Sequence, residues 1–296
     1  MTAQEQRPVA AFLWMIGSIT GFSVVAISGR ALHESLDTFE VMLYRSLVGV
    51  AVLVGAALVL KKTADLRPAF LGTHLLRNLL HFAGQNLWLY ALSLITLAQL
   101  CALEFSYPIL VALAAPLLLG ERLTPVRIGA ALVGFAGILL VARPFGGGGF
   151  SVGLLAALLC AVGFAGAAIV TKRLTRRTSV LAILFWLTLM QSAFGFLCAV
   201  ADGQIALPGR SDFPWVLAIG IGGLGAHLCL TKALSLAPAS IVTPVDFLRL
   251  PLLAVIGSLF YGEGMDMWVM IGGGVIFAAN LINIRAETRA SAQSMA

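Results

Sequence analysis

The sequence is poor in charged residues. Asp, Glu, Lys and Arg together make up 11% of its 296 residues, whereas a soluble domain carries about a quarter. Hydrophobic residues reach 60%, and the mean hydropathy is +0.99. A chain of this composition cannot cover its surface with side chains that water solvates, so we expect a lipid bilayer to surround it.

Sequence motifs of enzymes are missing as well. There is no GxxxxGKS/T loop, so the chain does not itself hydrolyse ATP, and there is no HExxH. The four cysteines lie in apolar runs without a CxxC spacing, which indicates structural thiols and not a metal or redox site. We therefore expect no enzymatic activity, no metal and no cofactor. An enzyme within the membrane would require residues that are distant in sequence to converge.

The chain is instead made of apolar segments of about 20 residues, the length that crosses a bilayer. The first is too long for a signal peptide and no convincing cleavage site follows it, so we expect it to be retained. An all-α membrane protein with ten transmembrane helices is predicted. The segments, numbered in chain order, are 9–30, 38–60, 71–93, 97–119, 124–142, 151–171, 179–201, 213–236, 239–261 and 265–284.

The sequence also repeats itself at an offset of 142 residues. Ala91-Leu92-Ser93-Leu94 recurs as Ala233-Leu234-Ser235-Leu236. An internal repeat of this kind determines the architecture, and here each copy holds five segments. The predicted division is a first repeat at 8–143, a second at 150–285, and tails at 1–7 and 286–296.

Lys and Arg collect on one side of the predicted membrane, which we take as cytoplasmic. That side holds Arg7, Lys61, Lys62, Arg67, Arg122, Arg127, Lys172, Arg173, Arg176, Arg177, Arg285 and Arg289. The opposite side holds only Arg30, Arg143 and Arg210. Both termini are therefore predicted to be cytoplasmic. Because the basic residues lie in loops beside the membrane, the isoelectric point near 9.5 does not indicate nucleic-acid binding.

Five is an odd number, so the second repeat enters the membrane from the opposite side. The two repeats are then inverted, and a pseudo-two-fold axis in the membrane plane relates them. Such repeats recur in secondary transporters, which bind their substrate near the midplane between the repeats.

Glycines and one short motif resemble a known family. Gly120-Glu121-Arg122-Leu123-Thr124 follows segment 4, and Gly129, Gly134 and Gly137 follow in segment 5. The second half keeps Gly262-Glu263 and Gly272 but has Ala279 where Gly137 stands. Over its whole length the chain resembles the drug/metabolite transporter superfamily, in its bacterial EamA-type branch. The resemblance implies an exporter of metabolites in the bacterial inner membrane, with aromatic or neutral amino acids as substrates. The glycines suit close helix packing within a monomer or between the protomers of a homodimer.

Charged residues inside the segments are candidates for function by default, because the membrane interior makes them costly. They are Arg45, Glu104, Lys232, Asp246 and Arg249. Arg45 and Glu104 are predicted at one depth, where they can pair. Asp246 is the repeat counterpart of Glu104 and lies within reach of Lys232, which would leave Arg249 free to hold a substrate carboxylate. The alternative is an i,i+3 pair of Asp246 with Arg249 that only neutralises charge.

Two polar stripes run along segments 3 and 8. The first consists of Arg77, Asn78, His81, Gln85 and Trp88, and the second of His227, Thr231 and Ser235. Such stripes either form hydrogen bonds between helices or line a water-filled cavity. His227 is the repeat counterpart of Gln85, and two matched stripes favour a cavity. Proton coupling would require Glu104, Asp246 or one of these histidines to titrate during transport.

Aromatic residues complete the predicted substrate site. Phe22 and Phe164 are repeat counterparts, as are Tyr44 and Trp186, and Tyr107 is the counterpart of Arg249. Most aromatic residues in membrane proteins pack or anchor at the interface, so packing is the alternative for each of them. Phe22, Tyr107, Phe164 and Trp186 are predicted to contact substrate.

The predicted function is a secondary transporter that works by alternating access. Segments 1, 3, 4, 6, 8 and 9 would enclose a midplane cavity for a small-molecule substrate. A passive channel and an intramembrane enzyme acting on lipid-linked substrates remain alternatives on the same scaffold.

Overall fold

The computed structural model describes residues 8–119, 124–143, 151–175, 177–201, 203, 205–236 and 245–293. The helices are α1 Pro8–Leu32, α2 Thr38–Val59, α3 Leu71–Leu94, α4 Leu97–Glu104, α5 Tyr107–Leu119, α6 Pro125–Ala142, α7 Val152–Leu174, α8 Val180–Ala201, α9 Phe213–Leu236, α10 Arg249–Tyr261 and α11 Met267–Gln293. A 3-10 turn covers Thr63–Leu66. These described residues contain no strand, as predicted for an all-α membrane protein.

Six of the described helices are long and apolar enough to cross a membrane: α1, α2, α7, α8, α9 and α11. α3 has 24 residues, and its polar stripe lowers its apolar content. The predicted N-terminal tail lies outside the described residues. α11 continues as a helix to Gln293, into the predicted C-terminal tail at 286–296.

Segment 4 is not one helix, contrary to prediction. It divides into α4 and α5 at Phe105 and Ser106. Pro108 causes the break, because proline has no N–H to donate to the carbonyl four residues earlier and its ring collides with that carbonyl. In the first turn of α5 the same proline is tolerated, since an N–H there has no partner within the helix.

The break leaves backbone carbonyls that need partners within the protein. Asn280 of α11 donates to the carbonyl of Phe105 at 2.8 Å, and the hydroxyl of Ser106 donates to the carbonyl of Leu103 at 2.6 Å. The second half has a similar interruption: residues 247 and 248 form a turn before α10, which carries Pro251 in its first turn. Each repeat thus contains a helix that begins again partway along its fourth segment.

Helices of the two halves pack together in exchanged pairs. α1 packs on α9 and α3 packs on α7, and the repeat offset converts the first contact into the second. α2 packs on α8 and α6 packs on α11, so each of these helices meets its own counterpart, and α4 packs on α10, which lies in the fourth segment of the other repeat. A two-fold axis between the halves produces this pattern. It supports the predicted division at 8–143 and 150–285, which remains a prediction.

The backbones of α6 and α11 approach each other closely at two glycines. A Cβ on Gly137 would lie 2.8 Å from the carbonyl oxygen of Gly272, and a Cβ on Gly272 would lie 2.8 Å from that of Gly137. Side chains on either residue would push the helices apart. Gly129, one of the glycines predicted to serve close packing, meets nothing within 4 Å, and the same holds for Gly274 on α11.

Gly272→Ala is therefore expected to destabilise the fold by roughly 1–3 kcal/mol, because the added methyl overpacks the contact with α6. Its Cβ would lie 2.7 Å from Cγ2 of Val141. The measurement is the midpoint of thermal unfolding in detergent. Gly274→Ala on the same helix is the control and should unfold no earlier than the wild type. Equal midpoints for the two variants would contradict the packing argument.

Candidate functional site

A buried ion pair lies where the interrupted helices meet. Nη2 of Arg249, the first residue of α10, donates to Oε1 of Glu104, the last residue of α4, at 2.9 Å. The other carboxylate oxygen of Glu104 accepts from Nε1 of Trp88 on α3 at 2.9 Å. Oδ2 of Asp246 lies 4.0 Å from Nη2 of Arg249. One guanidinium therefore joins two carboxylates from the two halves.

The structure corrects two predicted pairings. Glu104 pairs with Arg249 and not with Arg45, because α4 ends at Glu104 and faces α10. Arg249 is not left free for a substrate carboxylate, since it contacts both Glu104 and Asp246. The contact of Asp246 with Arg249 is the i,i+3 alternative. Equal depth along two helices does not say which way each side chain points, and this is why the pairing by depth failed.

Four rings from both halves form a chain beside this ion pair. The ring of Phe22 meets His227 edge-on with centroids 5.2 Å apart, His227 lies 6.2 Å from His81, and His81 lies 5.5 Å from Phe164. The guanidinium of Arg249 lies 4.9 Å from the ring of Phe22. We call Phe22, His81, Phe164, His227 and Arg249 the central cluster. Its members come from α1, α3, α7, α9 and α10.

Residues in the middle of α3 divide between the central cluster and helix packing. Asn78 is fully buried and donates to the carbonyl of Trp186 at 2.9 Å, and Nε of Arg77 donates to the hydroxyl of Thr171 at 3.1 Å. These bonds tie α3 to α8 and α7. Gln85 is 7% exposed and has no hydrogen-bond partner among the described residues. Its amide is thus available beside the cluster.

Three other predicted site residues lie outside the chain of rings. Trp186 sits near His74, with ring centroids 6.3 Å apart. Tyr107 begins α5 and lies within electrostatic reach of Asp246 and Glu104. Thr231 is exposed, and its hydroxyl donates to the carbonyl of His227 on its own helix at 2.7 Å.

Two contributions to the site were missed in the sequence. Gln191 of α8 lies 2.7 Å from Nδ1 of His81, and a polar residue in an otherwise apolar segment was the signal for it. Phe105 and Phe247, which are repeat counterparts, lie 5.2 Å apart, and Arg249 stands 5.0 Å from the ring of Phe105. The signal for them in the sequence was that they occupy the same position in the two repeats.

At the face where α1 and α3 end, predicted to be the outer face, a second ion pair links the helix ends. Arg30 pairs with Glu263 and also donates to the backbone carbonyls of Leu92 and Ile95, the second at 2.7 Å. Oε2 of Glu263 accepts from the backbone N–H of Leu97 at 2.9 Å. We call these contacts the outer clasp. A surface cavity of about 590 Å³ adjoins it and is lined in part by Arg30 and Glu263.

Helices crossing a membrane, a polar and aromatic cluster between two similar halves, and interrupted helices beside it are features of a secondary transporter. The model of the EamA-like transporter family matches residues 9–143 and, a second time, 151–285. The chain belongs to this family. It is a multi-pass membrane transporter and not an enzyme, as predicted.

Named relatives extend this comparison. The chain is 28% identical over 291 residues to the riboflavin transporter of Rhizobium johnstonii, with 98% of this chain and 95% of that protein covered. It is 24% identical over 282 residues to the S-adenosylmethionine uptake transporter of Rickettsia bellii, with 95% and 96% covered. A solved crystal structure with 22% identity superposes with a TM-score of 0.66 over 95% of this chain and 98% of the other, and it has the same fold. None of these names supports the predicted amino-acid export.

Glu104→Gln is expected to destabilise the protein by about 3–5 kcal/mol, because it leaves the buried charge of Arg249 without its closest partner. Arg249→Gln should have a similar effect. Since both variants remove the same interaction, the double variant should lose less stability than the sum of the two, by about 0.5–3 kcal/mol.

The measurement is thermal unfolding of the wild type, both single variants and the double variant in detergent. Glu34→Gln at an exposed position is the control for loss of a carboxylate and should leave the midpoint unchanged. Strictly additive losses would show that Glu104 and Arg249 do not stabilise the fold as a pair.

Proposed function

We propose that the protein is a secondary transporter that carries a small heteroaromatic metabolite across the membrane by alternating access, with the central cluster as its substrate site. The observation that carries this proposal is the convergence of rings and polar groups from both halves beside two interrupted helices. Transporters with inverted repeats bind substrate at such interruptions, because unwound backbone and helix ends offer polar groups near the midplane.

The chemistry of the cluster supports a planar ring as the part of the substrate that is recognised. Phe22, His81, Phe164 and His227 offer ring faces and edges, and aromatic pairs are worth about 0.5–1.5 kcal/mol beyond their buried area. The amides of Gln85 and Gln191 lie nearby to bind ring nitrogens or carbonyls. Riboflavin and S-adenosylmethionine, which the relatives are named for, both contain fused nitrogen heterocycles. Of the aromatic amino acids, tryptophan shares this chemistry through its indole ring.

Access to the site is proposed to alternate between the two faces. The outer clasp holds α1, the end of α3 and the end of α10 together, which supports a state in which the central cluster is separated from that face. Breaking the clasp would let α1 and α10 move apart. The solute gradient then supplies the driving force, and transport measured with and without a pH gradient decides whether protons are exchanged.

Counterflow in proteoliposomes tests this function. Vesicles loaded with unlabelled riboflavin, S-adenosylmethionine or tryptophan receive the labelled compound outside. For at least one of these ring compounds, the label should rise transiently above its equilibrium level, because a carrier exchanges solute faster than it moves empty. Phe164→Ala should raise the half-saturating concentration roughly tenfold.

Phe135→Ala, at a position that is 58% exposed on α6, is the matched control and should transport normally. Vesicles that equilibrate each compound without a transient excess would indicate a passive channel. Absence of movement for every ring compound would refute the proposed substrate class.

A further inference from the structure

Arg45 is a cation inside the membrane for which the described residues offer no carboxylate. It is the eighth residue of the 22-residue helix α2, so it lies roughly 10 Å from the start of the helix. Nη1 of its guanidinium makes a weak contact with the sulfur of Met42 at 3.9 Å. An arginine in the membrane interior is costly unless it is paired or faces water or a ligand.

The guanidinium of Arg45 points between helices and not into lipid. Its Nη2 lies 3.3 Å from the point that a Cβ on Gly223 of α9 would occupy, and Val25 of α1 lies 3.6 Å from the same point. Gly223 is one helical turn from His227. Both His227 and His81 lie close enough to Arg45 to interact with its charge. Arg45 therefore faces the central cluster.

The internal repeat shows that packing does not require an arginine here. The counterpart of Arg45 is Leu187, which is 4% exposed, and the counterpart of Gly223 is His81. One half of the fold thus accommodates a leucine at this position of the second segment. In the other half the glycine leaves the space that the guanidinium occupies. The difference between the halves adds a permanent positive charge to the site.

The other arginines near the cluster are already provided with partners. Arg249 contacts Glu104 and Asp246, and Arg77 donates to the neutral oxygens of Thr171 and Asn78. The two carboxylates thus lie at Arg249. In the part of the chain that the structure describes, no carboxylate pairs with Arg45. An anion is the ligand that this arrangement favours.

We propose that Arg45 binds an oxyanion of the transported solute, so that the substrate is a heteroaromatic metabolite bearing a carboxylate or a phosphate. Guanidinium groups recognise both oxyanions through paired hydrogen bonds, which are about twice as strong as neutral ones. The ring of the solute packs along Phe22 and His227, on the helices that flank Arg45. This assignment rests on the proposed function and identifies its substrate class.

Two matched pairs of compounds distinguish the oxyanions. Flavin mononucleotide and riboflavin differ by a phosphate, and indole-3-acetate and indole-3-acetamide differ by a carboxylate charge. Each compound competes with a transported ring compound in counterflow and is titrated against the purified protein in detergent. In at least one pair the anionic member should bind the wild type about tenfold or more tightly.

The variants test whether Arg45 is the source of that preference. Arg45→Leu, which installs the residue found at the counterpart position, should weaken the anionic member at least tenfold and change the neutral member less than about twofold. Arg45→Lys keeps the charge and should retain part of the preference. Gly223→Ala crowds the guanidinium, because the added Cβ would lie 3.3 Å from Nη2, and should weaken the anionic member less than Arg45→Leu does. Arg210→Leu, at an exposed loop position, is the control, and elution from a sizing column verifies folding of each variant.

The outcomes separate this proposal from the one on which it rests. A preference for the phosphate pair, the carboxylate pair or both, lost in Arg45→Leu, supports it and identifies the oxyanion. Transport of ring compounds without any anion preference, or a preference that Arg45→Leu and Gly223→Ala leave unchanged, overturns it and leaves the proposed function intact. A wild-type protein that binds and moves none of the compounds overturns both.

Discussion

The ion pair of Arg249 with Glu104 is the contact on which the middle of the structure depends. It joins the start of α10 to the end of α4, so it links the two halves where their fourth segments are interrupted. Charges in a membrane interior must be paired or hydrated, and Trp88 and Asp246 complete the surroundings of this pair. The pair thereby compensates its own charges and positions the guanidinium over Phe22, at the edge of the ring chain.

Similarity between the halves forms the scaffold, and differences between them provide the chemistry. Exchanged helix pairs bury the apolar surface of both repeats in the same way. The polar groups differ between the halves: the repeat counterpart of Gln85 is His227, and the counterpart of Tyr107 is Arg249. Arg45 in place of Leu187 is a further departure. A repeated fold can thus gain an asymmetric, charged site with few substitutions, because equivalent positions in the two halves accommodate different side chains.

Much of the fold follows from the sequence because helix positions depend on patterns that can be counted along the chain. Apolar segment lengths and the 142-residue repeat predict the helices and their order. The polar stripe of α3 was predicted and is buried, as its spacing requires. The interruption at Ser106 was missed although Pro108 indicates it, since an apolar run long enough to cross the membrane outweighed a single proline. Proline at this place is a start signal for a second helix.

The partners of the charged residues did not follow from the sequence. Depth along a helix can be counted, whereas rotation about the helix axis and the choice of neighbouring helix depend on packing. Arg45 and Glu104 share a depth, yet α2 packs on α8 and α9 while α4 packs on α10. The outer clasp was missed for a related reason. Arg30 and Glu263 lie 233 positions apart, at the ends of helices that only the folded chain brings together.

Alternating access around a fixed central cluster is the main claim, and a distance across the outer clasp tests it most directly. Spin labels at His33→Cys and Met265→Cys, both exposed, would report this distance in a protein whose native cysteines are replaced. The account predicts a second population at longer distance, which grows in an Arg30→Gln variant and changes in proportion when a transported solute binds. One unchanged distance distribution in the wild type and the variant, with and without solute and with transport intact, would contradict it.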